Sequence, residues 1–173
     1  PTALICRSIP DCSRPSTIKL FKIYKTIVFD LENRNSVQSR AFYNCSFDYS
    51  LTIHFKNVKR LSSYAFDSIG IGQNQMLTVK LDGAALNLDK KSSQSKLFIN
   101  KCAFNNIVVR RKAVLSVLIK NYEWVYVKDT LVENGLWQGE NSEINVNVNN
   151  VEQVWFKSKE DRMAGLGSEP VDT

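Results

Sequence analysis

The sequence predicts an all-β fold built from stacked repeats, and three observations lead to that prediction. Apolar residues alternate with polar ones in a segment that recurs along the chain, an Asn or Gly closes most copies, and a second apolar element follows. Period-two alternation places the apolar side chains on one face of a strand. Asn and Gly tolerate the left-handed backbone conformation, so each closing residue predicts a sharp corner between two strands.

The copies of the segment recur at intervals typical of solenoid coils. They start at Ile27, Leu51, Leu77, Leu97, Leu115 and Ile144, and the closing residues are Asn33, Asn57, Gly83, Asn121 and Asn150. The copy at Leu97 is degraded, because Lys101 replaces its third apolar residue. We therefore expect about six coils with an apolar interior. The predicted interior side chains are Ile53, Phe55, Val79, Leu81, Val117, Ile119, Val146 and Val148.

A strand, an Asn corner and a second strand, repeated in this way over residues 18–157, resemble the coils of a right-handed parallel β-helix. A leucine-rich-repeat-like solenoid is the alternative, because Ala65-Phe66 and Ala103-Phe104 resemble one step of that repeat. Its signature places the last strand leucine three residues before the Asn, whereas the gap here is two residues. A β-sandwich would also use alternating strands, but at shorter spacing. The predicted fold class is all-β, a right-handed parallel β-helix.

The predicted organisation has three parts. Residues 1–17 form an N-terminal cysteine-containing cap, residues 18–157 the repeat domain, and residues 158–173 a C-terminal cap and flexible tail. Solenoid ends need covering, because an open coil presents unpaired backbone groups. The segment 18–25 and the loop between Cys6 and Cys12 are candidates for closing the first end. The start at Pro1 and the small-residue tail are interpreted as those of an excised segment of a longer precursor.

Composition excludes several classes of protein. With 43% hydrophobic and 23% charged residues the chain is globular rather than disordered. No apolar run approaches the roughly 18 residues of a transmembrane helix. One His and four scattered Cys match no zinc motif, and no glycine-rich phosphate loop is present, so no metal, cofactor or catalytic residue is assigned. Basic and aromatic residues are not interleaved as in a nucleic-acid stacking platform, so no nucleic-acid partner is expected.

The cysteines and one sequon predict a secreted or cell-surface protein. Cys6 and Cys12 flank a Pro-Asp turn, which suits a disulfide between them, or a disulfide from one of them to Cys45. A bond from Cys45 to Cys102 is disfavoured, because at least one coil separates the two residues. Asn44 begins the N-x-S triplet and is a candidate glycosylation site.

Residues for an enzymatic site are sparse. The single histidine, His54, is predicted to point to solvent, and predicted outward carboxylates occur on one coil only, at Asp30 and Glu32. A polysaccharide-degrading enzyme would use such a pair as general acid and base. A lone acidic couple on an edge coil is more often a solvated surface. The carbohydrate-active enzyme is therefore the alternative function.

The predicted function is non-catalytic recognition of a protein, or of an acidic glycan, outside the cell. Net charge is +6, and Lys56, Lys80 and Lys120 are predicted to form one outward column that would attract a polyanion. The predicted partner-binding patch consists of Trp124, Tyr126 and Trp155. The competing interpretation has a loop over residues 133–141, with Trp137, covering that patch. Self-association by stacking of coil ends is the second alternative.

Overall fold

The computed structural model describes residues 2–31, 35–84, 95–128, 132–133 and 135–157. The described chain is mostly β, as predicted, with one helix, α1 (Pro15–Tyr24). Pro15 suits the first turn of α1, and Lys25 ends it with φ of 62°. The strands are β1 (Leu4–Cys6), β2 (Thr26–Asp30), β3 (Ser36–Val37), β4 (Ser46–Phe47), β5 (Leu51–Lys56), β6 (Arg60–Leu61), β7 (Phe66–Asp67), β8 (Gly70–Ile71), β9 (Met76–Asp82), β10 (Lys96–Ile99), β11 (Phe104–Asn105), β12 (Val108–Val109), β13 (Val114–Lys128), β14 (Val132–Glu133), β15 (Trp137–Gln138) and β16 (Glu143–Lys157).

Every strand pairing among the described residues is parallel, and the strands form three sheets. A curled nine-stranded sheet has the order β1-β2-β5-β9-β13-β10-β6-β3, and β16 pairs with β13. The other sheets have the orders β14-β11-β7 and β15-β12-β8-β4. The large sheet has two arms, since β13 pairs with β9 through its first half and with β10 through its second half. The chain runs through the three sheets in turn and returns to each of them several times.

The corners predicted at Asn are confirmed where the structure describes them. Asn57, Asn121 and Asn150 have φ of 62°, 64° and 52°, in the left-handed region. Asn121 and Asn150 bend β13 and β16 at the junction of the two arms. Gly83 follows β9 at the corresponding corner for a steric reason, because a Cβ there would lie 2.6 Å from the ring of Tyr122. Asn33 lies outside the described residues.

The register confirms part of the predicted repeat and corrects two copies. Leu51, Leu77, Leu115 and Ile144 are aligned across neighbouring strands as predicted. Ile27, however, pairs with Ile53 rather than Leu51, so that Phe29 stacks on Phe55 at 5.3 Å between ring centroids. A shift of two residues keeps every side chain on its face, so periodicity alone does not fix the register. The copy at Leu97 belongs to the second arm, where Leu97 pairs with Val125.

The interior is a single apolar core, in which six of the eight predicted interior side chains are buried. The buried six are Ile53, Phe55, Val79, Leu81, Val117 and Ile119. Phe42, Phe66 and Phe104 add a column of parallel rings, with 4.6 Å between successive centroids. The prediction was wrong for Val146 and Val148, which are 45% and 43% exposed. They lie on β16, and no strand of the described chain packs beyond it.

The N-terminal end of the stack is covered. β1 pairs with β2, α1 packs against β2, and Phe21 of α1 is fully buried. A disulfide joins Cys12 to Cys45, with their Cα atoms 5.8 Å apart. The prediction of a bond between Cys6 and Cys12 was wrong, and its stated alternative to Cys45 is what the structure contains. Cys6 is a free thiol whose backbone pairs opposite Phe29, and burial raises its pKa.

Candidate functional site

The outward face of the first arm carries a column in which acidic and basic residues alternate. In register along it lie Asp30, Lys56, Asp82, Lys120 and Asn149. The predicted column of three lysines was therefore wrong for Lys80. Lys80 lies in the neighbouring column, opposite His54 and Leu118. The error follows from the period of two, because residues two apart share a face but belong to different columns.

A hydrogen-bonded pair, His54 and Asp82, lies at the centre of this face. The Nε2 atom of His54 is 3.2 Å from Oδ2 of Asp82, and Nζ of Lys120 is 3.8 Å from the same oxygen. The His54 side chain is only 20% exposed, so the prediction that it points freely to solvent was wrong. Asp82 also adds an outward carboxylate on β9, which the sequence prediction of carboxylates on one coil had missed.

The hydrogen bonds to Asp82 hold it in the charged form. Burial, the largest single cause, would raise its pKa, but hydrogen bonds donated by Asn121 Nδ2 and by the Ala84 N–H, each at 2.9 Å, act against it. The bond from His54 and the charge of Lys120 act in the same direction, so the pKa of Asp82 is lowered. An ionised Asp82 accepts a hydrogen bond from the Nε2–H group of His54. This assigns the neutral tautomer of His54 that carries its proton on Nε2.

Burial is the main reason that the pKa of His54 is lowered, and the positive charges of Lys120 and Lys80 add to it. The bond to Asp82 opposes that shift without cancelling it. His54 is therefore neutral at pH 7, and its Nδ1 is able to accept a proton. The carboxylate pair of the enzyme alternative, Asp30 and Glu32, stays a prediction, because Glu32 lies outside the described residues. Asp30 lies opposite Lys56.

Two residues of the predicted aromatic patch, Trp124 and Tyr126, belong to a small satellite core on the second arm. Phe98 and Tyr126 are 4% and 6% exposed and meet edge to face, with 5.8 Å between centroids. Trp124 packs against them and is half-buried. Trp155 lies opposite Tyr126 in register, as predicted, and its side chain is outside the described part of the chain. Trp137, proposed as a cover, lies in the four-stranded sheet and is itself 53% exposed.

Among the described residues, the three sheets end on the same side, where β14, β15 and β16 are the last strands. We call this side the C-terminal end face, defined by Leu136, Gln138, Val146 and Val148. Leu136 continues the column of Ile69 and Ile107 across neighbouring strands. Those two residues are buried, whereas Leu136 is 41% exposed. Gln138 stands in the column of Phe47, Ile71 and Val109, which are buried. The end face is thus apolar at Leu136 and along the first half of β16, and polar at Gln138.

Sequence reasoning missed this surface because the pattern of β16 matches that of the internal strands. One signal was present: the outward positions of β16 hold Asn145, Asn147 and Asn149, whereas β5 and β9 carry lysines on that face. Lysine is a residue with which proteins protect exposed strand edges. Its absence from this stretch of β16 marks an edge without that protection.

No protein-family model matches the chain, and neither a curated protein nor a solved structure matches it.

The surface around the disulfide holds two open hollows, of 580 and 370 Å³, which share Asn44 in their linings. Asn44 is exposed, with φ of 57°, and Ser46 of its sequon is exposed as well. Glycosylation of Asn44 stays a prediction. In the part of the chain that the structure describes, no helix has the length and hydropathy to cross a lipid bilayer.

Proposed function

We propose that the three sheets are the sides of a right-handed parallel β-helix. Uniformly parallel pairing and aligned columns across neighbouring strands support this fold. Right-handedness is expected because crossovers between parallel strands of one sheet are almost always right-handed. In that fold the described chain forms five coils rather than about six, because the copy at Leu97 is the second strand of a coil and not the start of one. Strands on several sides favour this solenoid over a leucine-rich-repeat-like one.

We further propose that the chain is a non-catalytic recognition domain that binds a protein partner. The observation that carries this proposal is the C-terminal end face. Its strand β16 is paired on one side only within the described residues, and Val146 and Val148 expose interior-type side chains there. Exposed apolar area beside unpaired backbone groups is typical of a surface that another chain covers.

An acidic glycan is a weaker candidate partner. A polyanion needs an uninterrupted row of cations, but the central column alternates Asp30, Lys56, Asp82 and Lys120. Lys120 is already engaged with Asp82 at 3.8 Å. The charged face of the first arm therefore satisfies much of its own charge.

An extracellular setting is part of the proposal. The disulfide between Cys12 and Cys45 supports it, because such bonds persist in oxidising compartments and are rare in the cytosol. Non-reducing mass spectrometry of the protein from its native source tests this point. A reduced Cys12–Cys45 pair in that material would contradict an extracellular location.

The His54–Asp82 hydrogen bond is the one observation that favours the enzyme alternative. It is tested by incubating the chain with a broad polysaccharide panel and measuring new reducing ends. We expect no turnover. Turnover that is lost in both His54→Ala and Asp82→Asn, with folding intact by circular dichroism, would replace recognition by catalysis.

The recognition proposal itself is tested by capture from an extracellular-matrix or cell-surface extract. The variant Val146→Lys/Val148→Lys charges the end face, and Met76→Lys is its matched control. Met76 is 45% exposed, like Val146, but lies on β9, which is paired on both sides. We expect capture by the wild type and by the Met76 variant and its loss in the end-face variant. Equal capture by all three contradicts recognition through this face.

A further inference from the structure

We propose that the partner of the C-terminal end face is a second copy of this chain, joined by antiparallel pairing of the two β16 edges around a two-fold axis. This inference rests on the proposed function, since it names the protein that the end face binds. Among the described residues, β16 has an unpaired edge whose sequence is complementary to itself in the antiparallel direction.

The direction of the free backbone groups follows from the ladder with β13. The N–H of Glu143 donates to the carbonyl of Ala113 at 3.0 Å. Backbone groups alternate in direction along a strand, so Asn145 and Asn147 also face β13. The N–H and carbonyl groups of Ile144, Val146 and Val148 consequently face the open edge. These residues also carry the apolar side chains of β16.

Self-complementarity appears when β16 is paired with its own copy centred on Val146. Val146 then faces Val146 of the second copy, and Ile144 faces Val148. Asn145 faces Asn147, and Glu143, the only charged residue of 143–149, faces the uncharged Asn149. Apolar side chains therefore meet apolar ones and no like charges meet, which is the pattern that stabilises paired strands. In this register the hydrogen-bonded pairs are Val146 with Val146 and Ile144 with Val148. These are the residues whose backbone N–H and carbonyl groups face the open edge.

A two-fold pair is favoured over head-to-tail stacking, because the opposite end of the stack offers a much shorter edge. β1 and α1 lie at the N-terminal end, and β1 has only three residues, which limits strand addition there although Ile5 is 67% exposed. Head-to-tail stacking, which would grow into a filament, therefore has a poorer receiving surface than a second β16 edge.

The test is sedimentation equilibrium of the full chain over a range of micromolar concentrations. We expect the wild type to move from 19.7 kDa to twice that mass and no further. Val146→Lys/Val148→Lys places the two substituted side chains at position 146 opposite each other and a charge opposite Ile144, so it should weaken self-association at least tenfold. Val146→Glu/Val148→Glu should do the same. An equimolar mixture of the two variants should recover the dimer, because opposite charges then meet. Met76→Lys should dimerise as the wild type does.

Three results would overturn the inference. One is a wild type that stays monomeric throughout, and another is dimerisation that the charged variants do not change. The third is growth beyond a dimer, which contradicts a closed two-fold pair. A monomeric wild type that still captures an extract protein in an end-face-dependent manner removes the second copy and leaves the recognition proposal standing. A wild type that neither dimerises nor captures an extract protein contradicts both the second copy and the recognition proposal.

Discussion

Replacement of Phe66 by Ala tests whether three stacked phenylalanine rings hold the core together. Phe66 is fully buried, and its ring lies between Phe42 and Phe104, 4.6 Å from each and within 5° of parallel. Removing a buried Phe side chain costs about 3–5 kcal/mol, and each lost ring pair adds roughly 0.5–1.5 kcal/mol. The cost of truncating the buried side chain already includes part of the cost of losing the ring pairs. We therefore expect the free energy of unfolding to fall by about 5 kcal/mol.

The assay is equilibrium unfolding in urea followed by tryptophan fluorescence and circular dichroism. For a domain of this size, a loss of about 5 kcal/mol corresponds to a melting temperature lower by roughly 10–20 °C. Phe66→Leu is the matched control, because it keeps a buried apolar side chain but loses both ring pairs, so it should cost roughly 1–3 kcal/mol, less than the Ala variant. A cost below about 2 kcal/mol for Phe66→Ala would show that the three rings do not pack as a column.

Three further changes test the corner, the disulfide and the charged face. Gly83→Ala should destabilise the fold, because the new Cβ would lie 2.6 Å from the Tyr122 ring, and an unchanged melting temperature would contradict that packing. Cys12→Ser should lower the free energy of unfolding by about 2–5 kcal/mol, and equal stability of the wild type with and without reductant would argue against the bond. Folding lowers the pKa of His54, the single histidine, so the unfolded chain binds a proton more readily than the folded chain. The stability that is present above the ordinary titration range of histidine is therefore lost as pH falls through that range. The melting temperature should drop between pH 7 and pH 5 in the wild type and less in His54→Gln; equal drops would show that another group is responsible.

The all-β composition was predictable from sequence because strand alternation and corner residues are local signals. Leu51, Leu77 and Leu115 are aligned as the repeat predicts, and Asn57 and Asn121 adopt the left-handed conformation. The register of the first copy was not predictable in the same way. A shift by two residues preserves the buried face, so contacts across strands, such as Phe29 on Phe55, are needed to choose between alignments.

The site was less predictable than the fold, because it depends on which residues become neighbours. His54 and Asp82 are far apart in sequence and meet only through the register of β5 and β9. The partner of Cys12 depends on where α1 places the N-terminal segment. The exposure of Val146 could not be read from its surroundings in sequence, because a strand at the end of a stack has the same alternation as one inside it.

Hydrogen exchange of individual β16 amides, measured by NMR in dilute solution, tests the central claim that this strand is paired on one side and open on the other. The amides of Asn145 and Asn147 point to β13 and should be protected. Those of Val146 and Val148 point to the open edge and should exchange rapidly when the chain is monomeric, then gain protection as concentration rises. Protection of all four at every concentration would mean that the edge is already covered within one chain, and protection of none would mean that β16 does not pair with β13.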